Sequence, residues 1–210
     1  MPNIAQLIQQ FMQSLPTSGL AIYNEFSLQH ELGIFLRSKL PGYEVQFERN
    51  VESFGFNKAS MIKNEIDIVI YKPDLTEKYA IELKYPRNGE YPVQMVHFIE
   101  DIRFMEELKL QQNSNRYTIF DNTYTLTLVD DYLFYSGPTT GGIYQYFRGN
   151  PTQPIQGAVT YTTTKKGVPV SKTISINRRH QVIWQPIGKK ISLDNLDPTP
   201  KDYYYYIIQI

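Results

Sequence analysis

The chain contains no cysteine, one tryptophan and three histidines in 210 residues. The absence of cysteine excludes disulfide frameworks, thiolate zinc sites and cysteine nucleophiles. The histidines His30, His97 and His180 lie far apart and lack the spacing of metal ligands, so we expect no histidine metal cluster. A metal site in this protein would therefore be built from oxygen ligands.

Net charge and long apolar runs are also lacking. The 21 basic residues balance the 21 acidic ones, which argues against a protein that coats nucleic acid through charge alone. No apolar run is long enough to span a bilayer. Glutamines interrupt the apolar residues near the N-terminus, unlike those of a signal peptide. We therefore expect a soluble, cytoplasmic protein without a membrane partner.

Apolar periodicity over the first 130 residues predicts an α/β fold with a mixed sheet. Pro16 is expected to stop the first helix, and two of the strands should form a hairpin across the turn-forming residues 72–76. The predicted elements are helices over residues 4–15, 24–40 and from 92 to about 111, and strands over residues 43–47, 65–71, 79–85 and 123–129.

From Gly137 onward, glycine, proline, threonine and tyrosine dominate short alternating runs, which predicts a β-rich extension (residues 137–210) packed on a core of residues 1–136. We predict a meander over residues 158–163, 168–176 and 181–187, turns at 165–167 and 177–179, and a final strand over 203–210. Eight basic residues against three acidic ones follow residue 150. Four of the basic residues lie at the predicted turns, namely Lys165, Lys166, Arg178 and Arg179. They could bind the phosphates of a nucleic acid or could serve solubility alone.

Two carboxylates and an amine should converge in the predicted hairpin. Alternate residues of a strand share a face, so strand pairing places Asp67, Glu82 and Lys84 on one surface, opposite the isoleucines at 66, 68 and 70. Two carboxylates about 4 Å apart repel by roughly 4 kcal/mol at an effective dielectric near 20, so they need a cation or a proton. Magnesium suits such oxygen ligands, and Lys84 could then orient an attacking water or stabilise the developing charge.

Asp67 is followed by fourteen residues and then by Glu82-Leu83-Lys84. This pattern resembles the D-x(n)-E-x-K signature of the PD-(D/E)XK nuclease superfamily, which includes many restriction endonucleases. The predicted element order over residues 24–129 is similar to that family's core. The resemblance implies a restriction endonuclease-like mixed sheet flanked by helices. Two features depart from the family: Ile66 replaces the usual proline, and the region from Gly137 onward matches nothing in it.

The resemblance implies a Mg²⁺-dependent endonuclease that acts on DNA. Mn²⁺ could substitute for Mg²⁺, and the protein could be a homodimer. Asp67, Glu82 and the Leu83 carbonyl would bind the metal, and Lys84 would lie at the attacking water. Glu25 would lie close by, preferred over Glu31 because it shares a helical face with the leucines at 28, 32 and 36. Gln94 resembles a glutamine that some relatives place beside the active site.

Simpler interpretations stay open for each of these residues. A Glu-x-Lys on a strand is commonly a solvated surface with a weak ion pair, and Glu25 could simply favour its helix N-terminus. Glu31 and Gln94 would then be surface residues, and Asp101 is expected at the surface in any case. Two alternatives concern the whole chain. It could be a catalytically inactive nuclease-fold protein that acts as a binding or assembly module, or an unrelated α/β fold in which the hairpin is merely amphipathic.

Overall fold

The computed structural model describes residues 1–87, 89, 91–110, 119–165 and 168–210, with the backbone alone at residues 110, 163–165 and 168–170. Its α-helices are α1 (Ile4–Ser18), α2 (Glu25–Lys39) and α3 (Tyr91–Leu110). Its strands are β1 (Glu44–Asn50), β2 (Glu65–Tyr71), β3 (Lys78–Lys84), β4 (Asn122–Val129), β5 (Ile155–Lys165), β6 (Val168–His180), β7 (Gln185–Pro186) and β8 (Tyr204–Gln209). None of these helices is both long enough and apolar enough to cross a bilayer.

Six strands form one mixed sheet in the order β1-β2-β3-β4-β8-β7. β3 and β4 are parallel, with α3 between them along the chain, and the other neighbouring strands are antiparallel. β5 and β6 pair with each other in a separate antiparallel sheet. The predicted mixed α/β class is confirmed. The last strand, β8, joins the main sheet by pairing with β4.

Helices cover both faces of the six-stranded sheet because both faces are apolar. On one face α1 and α2 pack on the sheet through a buried cluster that includes Ile8, Phe11, Leu28, Leu32, Ile68, Ile81 and Leu126. On the other face α3 lies between the sheet and the β5–β6 pair, in a cluster that includes Val69, Ala80, Phe98, Ile102, Phe104, Ile174 and Ile176. A helix covered on two sides buries apolar residues beyond a single stripe.

Pro16 does not stop the first helix, so that prediction is wrong. α1 continues through Pro16 to Ser18 and ends at Gly19, which adopts the left-handed conformation with φ 69°. A proline in the last turn removes one N–H donor, while its fixed φ suits the helix. Glycine adopts the left-handed conformation without a Cβ penalty, so Gly19 is the residue that ends α1.

The predicted turn at residues 177–179 is also wrong, because β6 continues through it to His180. Arg178 and Arg179 consequently lie on a strand with exposed side chains. The backbone N–H groups of Asn177 and Arg178 donate to the buried carboxylate of Glu106 on α3, both at 2.8 Å. The register of β5 and β6 shifts between Ile155 and Gly157, so residues 177–179 form an irregular part of β6 that binds Glu106 and not a turn.

The predicted meander lacks its third strand. Within residues 181–187 only Gln185 and Pro186 form a strand, β7, and it pairs with β8 rather than with β6. The predicted turn at 165–167 falls largely outside the described residues, since β5 ends at Lys165 and the description resumes at Val168. The C-terminal region is therefore a long two-stranded sheet followed by an irregular path back to the main sheet.

Gly33 lets α2 approach β1 closely. A Cβ at this position would lie 2.2 Å from two ring carbons of Phe47 on β1. We predict that Gly33→Ala lowers the free energy of unfolding by about 1–3 kcal/mol, as overpacking usually does, despite alanine's better helix propensity. Urea denaturation would measure this. Phe47→Leu should relieve much of the loss in the double variant, and a Gly33→Ala protein as stable as the wild type would contradict the prediction.

Candidate active site

β2 and β3 part at one end of their hairpin and leave a cleft of about 450 Å³ between them and the preceding segment. Their antiparallel pairing runs from Tyr71 opposite Lys78 to Ile68 opposite Ile81 and stops before Asp67 and Glu82. The cleft is lined almost wholly by charged side chains, which are Glu48, Lys58, Lys63, Asn64, Glu65, Asp67, Glu82 and Lys84. The structure thus brings together the three residues predicted to converge.

The predicted alternation along β2 holds only in part. Val69 packs on the α3 side and Ile68 and Ile70 pack on the α2 side, but Ile66 belongs to the α3-side cluster, contrary to the prediction that the three isoleucines share a face. Opposite Asp67, Glu48 of β1 has a φ of 49°, a conformation that strands rarely contain. The pleat is therefore irregular where β2 reaches the cleft.

The Asp67 side chain accepts a backbone hydrogen bond from β3 at the point where the pairing of β2 with β3 has ended. Its Oδ2 accepts a hydrogen bond of 2.7 Å from the Leu83 N–H, a donor on β3 beyond the last paired residues. Burial raises the pKa of Asp67 to about 7, although the Lys84 ammonium and the Leu83 N–H act in the opposite direction. The Asp67 carboxylate is therefore fixed in place, but its neighbours do not fully offset the cost of burying its negative charge.

Glu82 is the most deeply buried acid of the cleft, with 2% of its surface exposed. One carboxylate oxygen, Oε1, contacts the Lys63 ammonium, whereas Oε2 is buried and has no hydrogen-bond partner within the described part of the chain. Burial raises the pKa of Glu82 well above its usual range, and the neighbouring Asp67 and Asp101 carboxylates add to that shift. This side chain has unused capacity to accept a cation.

Lys84 and Glu25 meet at the end of β3. The Lys84 Nζ donates to Glu25 Oε1 at 3.0 Å and to the Leu83 carbonyl at 2.9 Å. The other Glu25 oxygen accepts the Tyr85 N–H at 3.0 Å. Burial lowers the pKa of Lys84, but Asp101, Glu25 and Asp67 outweigh it and the net shift is upward. Lys84 is therefore a positively charged group held at the cleft.

Asp101 and Lys63 are part of the site, and the sequence interpretation missed both. Asp101 on α3 was predicted to be a surface residue, but only 2% of it is exposed and it contacts the Lys63 ammonium, so that prediction is wrong. The signal was its helical spacing of three from both Phe98 and Phe104, which places it on a buried side of α3. Lys63 lies in a segment without periodicity, and nothing in its neighbourhood identifies it.

Gln29 and Glu48 also went unnoticed. The buried Gln29 lies one helical turn after Glu25 on α2, and its Nε2 donates to Glu48 Oε1 at 2.6 Å and to the Asp67 carbonyl at 2.7 Å. It therefore fixes the backbone of the aspartate that lines the cleft. The spacing of four from Glu25 was a usable signal, since both side chains share a helical face.

The secondary candidates lie apart from the cleft lining. Gln94 is half-buried near the start of α3, and Glu31 approaches the exposed His30 at 3.9 Å. Arg178 and Arg179 are exposed on β6, while Lys166 and the side chain of Lys165 lie outside the described residues. None of these described side chains lines the cleft. The structure brings together the predicted primary residues but not the secondary ones.

The donor set of the cleft fits a hard divalent cation. Asp67 and Glu82 offer carboxylate oxygens, Leu83 offers a carbonyl, and Glu82 Oε2 is buried without a partner from the described residues. Mg²⁺ prefers oxygen ligands and retains several waters, so two carboxylates suffice. The structurally described segments hold no preassembled group of three or more His, Asp or Glu side chains that could bind a metal. Water would therefore complete the coordination.

No protein-family model, curated protein or solved structure matches the chain.

Proposed function

We propose that this chain is a divalent-metal-dependent nuclease of the PD-(D/E)XK kind that hydrolyses phosphodiester bonds in DNA. The observation that carries the proposal is the buried Glu82 carboxylate, whose Oε2 lacks a partner among the described residues and whose pKa is raised by burial and by Asp67. Bringing two such acids together is unfavourable without a cation. A hard metal ion would compensate both carboxylates.

The order of elements around the cleft supports the proposal. α2, β1, β2, β3, α3 and β4 follow one another along the chain, as the resemblance implies for a restriction endonuclease-like core. Asp67 lies on the second of these strands, Glu82 and Lys84 on the third, and Glu25 at the start of the first helix. Asp67, Glu82 and Lys84 line the cleft, and Glu25 contacts Lys84 beside it.

In the proposed reaction Asp67, Glu82 and the Leu83 carbonyl would hold Mg²⁺, which when bound would polarise a phosphoryl oxygen and lower the pKa of a water. Lys84 stabilises the negative charge that develops on the phosphate. Glu25 positions Lys84 through their 3.0 Å hydrogen bond and fixes the end of β3 through Tyr85. Lys58 at the exposed side of the cleft offers a further positive charge to the phosphate backbone.

Metal-dependent cleavage tests the proposal. Plasmid DNA, single-stranded DNA and RNA are each incubated with the purified protein in Mg²⁺, in Mn²⁺ or in excess chelator. We expect DNA hydrolysis with either metal and none with chelator. An Asp67→Asn variant purified in parallel separates this activity from a contaminating nuclease. Equal cleavage by both proteins, or no cleavage of any substrate, would contradict the proposal.

Lys84 should act on the chemical step and not on metal binding. We predict that Lys84→Met slows cleavage by about a hundredfold, the usual effect of losing one group that stabilises developing charge. Mn²⁺ should bind at least as tightly as in the wild type, because the variant loses a positive charge and keeps the oxygen ligands. Single-turnover cleavage and calorimetry measure the two quantities. An undiminished rate would remove Lys84 from the mechanism.

One observation favours a second function, that of a non-catalytic binding or assembly module. Lys63 bridges Glu82 and Asp101, so an ammonium group already compensates part of the acidic charge. In an inactive relative such a bridge would replace the metal permanently. Calorimetry separates the two functions, since a module of this kind shows no Mn²⁺ binding that depends on Asp67.

A further inference from the structure

A lysine ammonium lies between two buried carboxylates beside the proposed metal site. Lys63 Nζ contacts Glu82 Oε1 and Asp101 Oδ1, and each of the two acidic residues is 2% exposed. Burial lowers the pKa of Lys63, but Asp101 and Glu82 outweigh that effect and raise it. Lys63 is thus a cation at the wall of the cleft, with 27% of its side chain exposed, and it is held there by the same carboxylate that is proposed to bind the metal.

The backbone around Lys63 is anchored on both sides. The segment between β1 and β2 contains two 3₁₀ turns, Val51–Phe54 and Lys58–Ser60, and it is closed by a 2.9 Å bond from the Val51 N–H to the Asn64 carbonyl. The Ile62 N–H donates to Glu107 of α3, also at 2.9 Å. Lys63 can therefore change partners by rotating its long side chain while its backbone remains in place.

The Lys63 ammonium and a bound divalent metal would share the carboxylate of Glu82. Its Oε1 is taken by Lys63, and its Oε2 has no partner from the described chain. Two like charges that share one buried carboxylate repel strongly, because water screens them poorly there. Asp101 offers Lys63 a second carboxylate to which it can remain bound.

We propose that the Lys63 ammonium competes with the divalent metal for Glu82 and keeps only Asp101 as its partner when the metal binds. This inference rests on the proposed metal-dependent function. Lys63 thereby sets the metal affinity of the site, and its release from Glu82 leaves an ammonium group in the cleft beside Lys58, where a phosphate would lie. By linkage, the metal loosens the Lys63–Glu82 contact as much as that contact weakens metal binding.

Calorimetric titration with Mn²⁺ tests the competition in the wild type, Lys63→Met and Lys58→Met. Lys58 is the matched control, since it lines the same cleft and carries the same charge but is exposed. We expect Lys63→Met to bind Mn²⁺ at least about tenfold more tightly than Lys58→Met, which would show only the general effect of removing one positive charge. Equal affinity in the two variants would overturn the inference.

A second measurement uses the wild-type protein and does not depend on the folding of a variant. Lysine acetylation is followed by mass spectrometry with and without Mn²⁺. The Lys63 amine should become severalfold more reactive when the metal is present, while Lys58 changes little. An unchanged or reduced Lys63 reactivity at saturating Mn²⁺ would overturn the inference and leave the metal-dependent function standing. Absence of Mn²⁺ binding in both the wild type and Lys63→Met would overturn the two together.

Discussion

Glu82→Gln should slow metal-dependent cleavage by about a thousandfold while the protein remains folded. The amide keeps the shape of the side chain but removes the charge that would bind the metal. A Lewis-acid metal contributes several kcal/mol to stabilising the transition state, and about 1.4 kcal/mol corresponds to a factor of ten in rate. Single-turnover cleavage at saturating Mg²⁺ measures the effect, and circular dichroism establishes that the variant is folded.

Glu65→Gln is the matched control for this prediction. Glu65 lines the same cleft and begins the strand that carries Asp67, but it is exposed to solvent. Its substitution removes one negative charge from the cleft without touching the proposed ligands, so we expect a change of less than about tenfold in rate. Comparable losses in Glu65→Gln and Glu82→Gln would mean that cleavage responds only to the overall charge of the cleft.

Glu106→Ala should lower the free energy of unfolding by about 3–5 kcal/mol, the usual cost of removing one partner from a buried charged network. Glu106 is fully buried on α3 and accepts hydrogen bonds from the N–H groups of Asn177 and Arg178 and contacts His180 Nε2 at 2.9 Å. Its loss leaves these three groups of β6 without their acceptor. Denaturant unfolding measures the change.

The control for Glu106 is Glu100, which lies six residues earlier on the same helix. Glu100 pairs with Lys172 of the same strand β6, but the lysine side chain is half exposed. Exposed ion pairs contribute about 0–1 kcal/mol, so Glu100→Ala should cost no more than that. Similar losses in the two variants would show that burial of Glu106 is not the source of its stabilising effect.

The stability that Glu106 provides should also depend on pH. Burial raises the pKa of Glu106, but its bonds to His180, Asn177 and Arg178 outweigh burial and the net shift is downward. The contribution is therefore fully present above the ordinary glutamate pKa of 4.5 and is lost as pH falls through the lower folded-state value. The difference in unfolding free energy between wild type and Glu106→Gln should shrink below pH 4.5. A constant difference down to pH 3 would contradict this.

Strand alternation and helical periodicity were sufficient to predict the parts of the fold that position the cleft. The predicted strand over residues 65–71 coincides with β2, and β3 begins one residue earlier than expected. The convergence of Asp67 with Glu82 was predicted for a partly mistaken reason. Continuous pairing was assumed, whereas the strands part and the Asp67 carboxylate takes the Leu83 N–H. Local patterns specify which face a side chain occupies but not where a ladder ends.

The remaining features depend on contacts between residues far apart in the chain. Lys63 reaches Asp101 across 38 residues, and β6 remains a strand through Arg178 because Glu106, 72 residues earlier, accepts its N–H. Turn tendency and surface polarity both describe single residues in water. Neither describes a buried acid that binds a residue of another element. For this reason the predictions for Asp101 and for the end of β6 were wrong.

Anomalous diffraction from crystals soaked in Mn²⁺ tests the central claim most directly. We predict a single strong peak in the cleft, at roughly 2.0–2.6 Å from carboxylate oxygens of both Asp67 and Glu82, as hard cations bind to oxygen. Lys63 should then contact Asp101 alone. A saturated crystal without a peak between Asp67 and Glu82, or with manganese bound only elsewhere, would contradict the account of this cleft as a metal site.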